Sequence, residues 1–88
     1  MRCVIAWSER RHLCSLVAAA LAGVAGGENV RRAGEDACLV YSALSAADLR
    51  NATSALLADG ESVLVLEFEA WSGFGPDVDR EWLLAHGH

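Results

Sequence analysis

The sequence predicts a small α+β protein, with a four-stranded antiparallel sheet, two helices on one face of it and a short C-terminal helix. The main observation is the order of hydrophobic patterns, which runs strand, helix, strand, strand, helix, strand. The chain has 88 residues, 53% of them hydrophobic, and one proline, which fits one compact domain. We assign residues 1–70 to its core and residues 71–88 to a loop and the terminal helix.

The first strand and the first helix follow directly on one another. Residues 2–7, "RCVIAW", form a β-branched and aromatic run that predicts a strand. Ser8 is a suitable N-cap, and from Glu9 to about Val24 apolar residues recur at helical spacing. Gly26 and Gly27 then predict the end of this helix.

Two short strands and a turn are predicted next. Residues 29–32 form a weak, polar strand, and residues 37–42 form a strong, apolar one. The segment 33–36, "AGED", has the composition of a turn. The three segments therefore predict a β-hairpin.

The second half of the chain begins with a helix start signal. Ser45 and Asp48 approximate a capping box, and Gly60 is the expected C-cap. Residues 62–68 predict the last strand, in which Glu67 alone interrupts an apolar run up to Phe68. Pro76 is expected at the first position of the terminal helix.

This order of elements is that of a ferredoxin-like βαββαβ sandwich, in which both helices cover the same face of the sheet. Three of the strands are apolar on both sides, so the second face must also be covered. We predict a homodimer in which a second copy covers this face by sheet-on-sheet or edge packing, with the interface residues Val4, Val40, Val63 and Val65. The alternative is that the terminal helix, with Trp82, Leu83 and Leu84, folds back over it.

Charge and cysteine content limit the partners and the compartment. The formal net charge is −5, which does not favour non-specific nucleic-acid binding. Cys3, Cys14 and Cys38 form no C-x-x-C pattern, so we expect buried thiols and a cytoplasmic location. The stretch "RRHLCSLVAAALAGVAGG" leaves N-terminal processing open as an alternative. No apolar run is long enough to predict a membrane span.

Residues 39–75, "LVYSALSAADLRNATSALLADGESVLVLEFEAWSGFG", and residues 81–88, "EWLLAHGH", resemble the SinR-like family of small ferredoxin-like proteins. That family is related to the small CRISPR-associated endoribonuclease subunit and to virulence-associated protein D toxins. The N-terminal 36 residues share only the expected topology with that family. The resemblance implies a homodimer that acts in a defence or toxin-type system.

In the nuclease branch of these relatives, an Asp ends the first strand, and two such residues of a dimer hold a divalent metal ion. The corresponding segment here, "IAWSERRH", has no Asp, and Glu9 is the nearest carboxylate. Our first hypothesis is therefore a non-catalytic interaction or regulatory module with a protein partner. The alternative is a metal-dependent endoribonuclease that acts on RNA, in which Glu9 replaces the Asp and binds Mg²⁺ or Mn²⁺.

The candidate site of this alternative lies around the start of the first helix. Glu9 and His12 would be catalytic, Glu9 as the metal ligand and His12 as a general acid or base. The substrate-binding residues would be Ser8, Arg10, Arg11, Arg31 and Arg32. The competing interpretation is structural: Ser8 caps the helix, its neighbours form a solvated face, and Arg31 and Arg32 protect an edge strand.

Weaker candidates complete the set. Glu67 and Glu69 could form a metal pair, and His86 and His88 could bind a transition metal, although a solvated chain end explains both histidines. Trp71 and Trp82 are expected to pack between the loop and the terminal helix, with base stacking as the alternative. A third hypothesis, a small-molecule enzyme, would need a pocket lined by Trp7, His12 and Tyr41.

Overall fold

The computed structural model describes residues 2–7 and 13–86, and within 2–7 it describes the backbone and the side chain of Ala6. The protein is a mixed α+β domain. In chain order, its elements are β1 (Arg2–Trp7), α1 (Leu13–Ala25), β2 (Val30–Ala33), β3 (Ala37–Val40), α2 (Ala46–Ser54), β4 (Ser62–Glu67) and α3 (Arg80–Ala85). A short 3-10 turn, Gly27–Asn29, connects α1 to β2.

The strands form one antiparallel sheet in the order β2-β3-β1-β4. In the register, Val4 of β1 lies opposite Cys38 of β3 on one side and opposite Val65 of β4 on the other. The strand β1 is therefore central, while β2 and β4 are the two edges. Residues that lie directly opposite one another across an antiparallel sheet share a face, so this register determines which side chains face each way.

Helices α1 and α2 pack on the same face of the sheet and form the main core with it. Their apolar side chains meet those of β1 and β3, and the partly buried Val63 and Val65 of β4 pack against this cluster. The buried members are Ala6, Leu13, Cys14, Val17, Leu21, Cys38, Val40 and Leu49. Burial of this apolar area is the largest stabilising contribution to the fold.

The opposite face of the sheet carries a second, smaller cluster. Trp82 and Leu83 of α3 are buried there, packed against Leu39 of β3 and against Phe68, Trp71 and Val78 of the loop after β4. The terminal helix thus does fold back over the sheet through Trp82 and Leu83, as the alternative interpretation of the sequence expected, but Leu84 takes no part and is 63% exposed. The predicted packing of Trp71 with Trp82 is confirmed.

The start of α2 is confirmed, but its predicted end is wrong. The Ser45 Oγ accepts a hydrogen bond from the Asp48 N–H at 3.1 Å. The helix ends at Ser54, well before Gly60. The hydroxyl of Thr53 donates to the carbonyl oxygens of Leu49 and Arg50, and such bonds compete with a regular helix. Gly60 has a φ of 82° and lies in the turn that leads into β4.

The terminal helix begins later than predicted, because Asp79 and not Pro76 determines its start. The Asp79 Oδ1 accepts a hydrogen bond from the Trp82 N–H at 3.0 Å and caps α3. Pro76 lies in a preceding turn, which the Val78 N–H closes with the Gly75 carbonyl oxygen. Helix α1 ends at Ala25, just before Gly26, as predicted.

Candidate interaction surface

On the sheet face opposite α1 and α2, the described side chains fall into a part that α3 covers and a part on β4 that stays exposed. Leu39 of β3 packs under α3, and the register places Leu39 in one row with Cys3 of β1 and Leu66 of β4. Leu64 and Leu66 nevertheless keep 42% and 43% of their surface exposed. We call these two leucines of β4 the open half-face.

The structure contradicts Val40 as a residue of a dimer interface. Val40 is fully buried in the main core, and Val63 and Val65 pack against that core on the helix side. A second copy cannot reach Val40 in this arrangement. For Val4 only the backbone is described, and it lies in register with Cys38 and Val65. The exposed apolar residues of β4 are therefore the alternate set, Leu64 and Leu66.

The sequence contains a signal that identifies which face of β4 lies away from α1 and α2. Leu64, Leu66 and Phe68 alternate with Val63 and Val65, so they share a face of an extended strand. Phe68 immediately precedes the loop that leads to α3, and it packs against the buried residues of that helix. The face of Phe68 is therefore the face that lies away from α1 and α2.

Polar contacts attach α3 to the β2 side of the sheet. The Arg31 Nε lies 3.2 Å from the Asp79 Oδ2, and the Trp82 Nε1–H donates to the Glu28 carbonyl oxygen at 3.0 Å. His86, the C-cap of α3, has its Nδ1 2.8 Å from the Trp82 carbonyl oxygen and its Nε2 3.2 Å from the Asn29 Oδ1. The ring of His86 also contacts the rings of Tyr41 and Trp82. His86 is therefore part of the packed structure and not a solvated chain end.

Replacing Asp79 by alanine is expected to lower the free energy of unfolding by about 1 kcal/mol, because the substitution removes the cap of α3. The ion pair with Arg31 adds little, since both side chains are substantially exposed. Urea denaturation followed by tryptophan fluorescence measures the change. Asp77→Ala, an exposed position in the same loop, is the control. Equal losses in the two variants would contradict the capping role.

Arg32 has a structural role that is separate from that of Arg31. Its guanidinium donates to the Ser15 Oγ at 2.9 Å, and to the carbonyl oxygens of Gly34 and Glu35 in the hairpin turn. Arg31 bonds to α3 on one face of the sheet, and Arg32 bonds to α1 on the other. These contacts favour the structural interpretation of both arginines over phosphate binding.

A shallow, open cleft of about 720 Å³ lies beside these two arginines. Its walls also include three carboxylates, which outnumber the two guanidinium groups and oppose the binding of an anion. The lining residues are Arg31, Arg32, Gly34, Glu35, Pro76, Asp77 and Asp79. A second cleft, of about 280 Å³, lies between α2 and β4 and is lined by Ala46, Ala47, Arg50, Val63, Leu64 and Val65.

The other predicted site residues are not brought together as a catalytic centre in the described part of the chain. Ser8, Glu9, Arg10, Arg11 and His12 lie outside the described residues, and so does His88. The Glu67 Oε1 accepts a hydrogen bond from the Ala46 N–H at 3.2 Å, which connects β4 to the start of α2. Across residues 13–86, no three His, Cys, Asp or Glu side chains are grouped so that they could hold a metal ion.

Comparison of the chain with protein-family models, curated proteins and solved structures finds no match. The resemblance to the SinR-like family therefore stays a prediction. Among the helices that the structure describes, none combines the length and the apolar character that crossing a bilayer requires.

Proposed function

We propose that this protein is a ferredoxin-like, non-catalytic interaction module, and that its edge strand β4, which carries the open half-face, pairs with β4 of a second copy of the chain. The observation that carries the proposal is the exposure of Leu64 and Leu66 side by side on an edge strand. Neighbouring apolar residues on one surface are typical of a site that another protein covers.

The ferredoxin-like assignment rests on topology. The strand order β2-β3-β1-β4, with antiparallel neighbours, is the order that the split βαβ arrangement requires. Helices α1 and α2 connect β1 to β2 and β3 to β4, and both pack against the same core. The helix α3 is an addition that packs over Leu39 on the second face.

The edge strand β4 has few of the features that normally prevent strand pairing. Edge strands are commonly protected by charged residues, proline or a covering element. The other edge, β2, carries Arg31 and Arg32, whereas residues 63–66 of β4 are "VLVL". The strand β4 is thus the more suitable edge for adding another strand.

The sequence of β4 is compatible with pairing to itself. In a two-fold arrangement centred on Val65, Leu64 of each copy lies opposite Leu66 of the other on the same face. Glu61 of one copy then lies opposite Glu69 of the other, and both residues are outside the strand. A register centred on Leu64 would place Glu61 opposite Glu67 at the end of the strand, which is less favourable.

This proposal does not require the second copy to contribute a catalytic residue. The first hypothesis from the sequence, a regulatory module of a defence or toxin-type system, needs only an interface. The endoribonuclease alternative depends on Glu9 and His12, which lie outside the described residues, so it stays a prediction.

The test is the oligomeric state, measured by size-exclusion chromatography with light scattering over a range of protein concentrations. The expected wild-type mass is twice the chain mass of 9.4 kDa. Leu64→Asp and Leu66→Asp should each give the monomer mass, because each substitution replaces the apolar cross-strand pairs between Leu64 and Leu66 of the two copies by a charged residue opposite a leucine. Circular dichroism establishes that the variants remain folded.

Leu16→Asp is the matched control, since Leu16 is an equally exposed leucine on α1, in the helix layer. It should leave the dimer intact. A wild-type protein that is monomeric at all concentrations would contradict the proposal. Dissociation of Leu16→Asp to the same extent as Leu64→Asp would contradict the assignment of the interface to β4.

A further inference from the structure

Two cysteine side chains from different layers of the fold meet inside the main core. The Sγ atoms of Cys14 on α1 and Cys38 on β3 lie 3.4 Å apart, and both residues are buried. The two thiols are not joined by a disulfide bond. The Cys38 thiol also lies 4.0 Å from the Cys14 carbonyl oxygen. The proposed function makes no use of this pair.

The two cysteines differ in how freely they can move. Cys38 lies on β3, between β1 and β2, opposite Val4 on one side and Arg32 on the other. It is therefore fixed by the sheet. Cys14 lies on α1 and keeps 3% of its surface exposed, whereas Cys38 has none. A small molecule therefore reaches the pair through local opening of the packing around Cys14.

The distance is short enough for a covalent bond after a small shift. A disulfide has an S–S length of about 2.05 Å, so the sulfur atoms would approach by about 1.4 Å from their present separation. A movement of this size is within the reach of a side-chain rotation at Cys14 and a slight displacement of α1. A metal ion is the less suitable ligand, because residues 13–86 offer no third His, Cys, Asp or Glu beside the pair.

We propose that Cys14 and Cys38 form a reversible disulfide when the protein meets a peroxide. The Cys14 sulfur attacks one peroxide oxygen, the O–O bond breaks, and a sulfenic acid and one water molecule form. The Cys38 sulfur then attacks the Cys14 sulfur, the S–O bond breaks, and the hydroxyl group leaves as a second water. The two thiols lose two protons and two electrons in total, and the peroxide is reduced to two molecules of water.

The disulfide would connect α1 to the strand β3 beside the centre of the sheet. It closes a loop between positions 24 residues apart and so restricts the unfolded chain. The melting temperature of the oxidised protein should therefore exceed that of the reduced protein by about 10 °C. Oxidation fixes the helix layer on the sheet, on the side away from the open half-face.

The experiment treats the reduced full-length chain with hydrogen peroxide and follows its intact mass, its disulfide-linked peptides and its melting temperature. It uses a Cys3→Ser background, so that only one cysteine pair can form. The expected result is the loss of two hydrogen atoms, a linked peptide pair containing Cys14 and Cys38, and a higher melting temperature. Dithiothreitol should reverse all three changes.

The control is Cys14→Ala in the same background, which should show neither the mass loss nor the stabilisation. The wild-type chain, with Cys3 present, is examined in parallel, so that the test does not depend on the folding of any variant. Stepwise addition of oxygen to Cys14 without a link to Cys38 would overturn the proposal. A linked pair with an unchanged or lower melting temperature would also overturn it, because the linkage would then strain the native packing.

Discussion

Replacing Leu21 by alanine is expected to lower the free energy of unfolding by about 2–5 kcal/mol. Leu21 has no exposed surface and lies at the centre of the core between α1 and the sheet. The substitution removes buried apolar surface and leaves a cavity that the surrounding side chains only partly fill. A domain of this size has a total stability of the order of 5–10 kcal/mol, so the variant should be close to unfolding. Thermal denaturation followed by circular dichroism should show a melting temperature that is lower by more than about 10 °C.

Leu16 provides a matched control for this prediction. It belongs to the same helix and is the same residue type, but 44% of its surface is exposed. Leu16→Ala should change the free energy of unfolding by less than about 0.5 kcal/mol. If the two variants lost the same stability, the orientation of α1 on the sheet would be wrong.

Replacing Trp82 by alanine is expected to detach α3 from the sheet while the rest of the domain stays folded. Trp82 forms the centre of the smaller cluster, and its indole N–H bonds to the Glu28 carbonyl oxygen. Loss of a buried tryptophan costs about 3–5 kcal/mol, which is more than a six-residue helix can recover from its own backbone hydrogen bonds. Hydrogen exchange monitored by mass spectrometry should show faster exchange in α3 and unchanged protection in α1.

The matched substitution in the same helix is Leu84→Ala, because Leu84 is mostly exposed. It should leave the exchange of α3 nearly unchanged. A Trp82→Ala variant that lost protection equally in α1 and α3 would show that the two clusters unfold as one unit, in contradiction to this prediction.

Features that depend on local sequence could be predicted well. The Ser45 and Asp48 pair identified the start of α2, and Gly26 identified the end of α1, because capping and left-handed backbone need particular residues at particular positions. The same reasoning predicted a wrong end for α2 at Gly60, although Gly60 has the left-handed backbone expected of a C-cap. The helix had already ended at Ser54, after which the N–H groups of Leu56 and Leu57 bond to carbonyl oxygens three residues earlier instead of four.

Features that depend on contacts between distant segments could not be predicted in the same way. Alternation in β4 separated Leu64 and Leu66 from Val63 and Val65, but the position of α1 and α2 decides which set is covered. The Cys14 and Cys38 pair is another example, since the two residues are 24 positions apart and meet only when α1 packs on β3. The anchoring of His86 by Asn29 likewise depends on the position of α3.

The anchoring of α3 has a consequence for how the chain folds. Its contacts join Trp82 to Glu28 and His86 to Asn29, positions that are 54 and 57 residues apart. Contacts of such long range form slowly, because the entropy of closing the intervening loop is lost before the contact can stabilise the chain. The hairpin of β2 and β3 needs only a local turn and can form early. Since α3 also leaves the ribosome after the segments that it packs against, Leu39 and Phe68 stay uncovered in the nascent chain. The nascent chain is therefore most prone to aggregation before α3 has packed on the sheet.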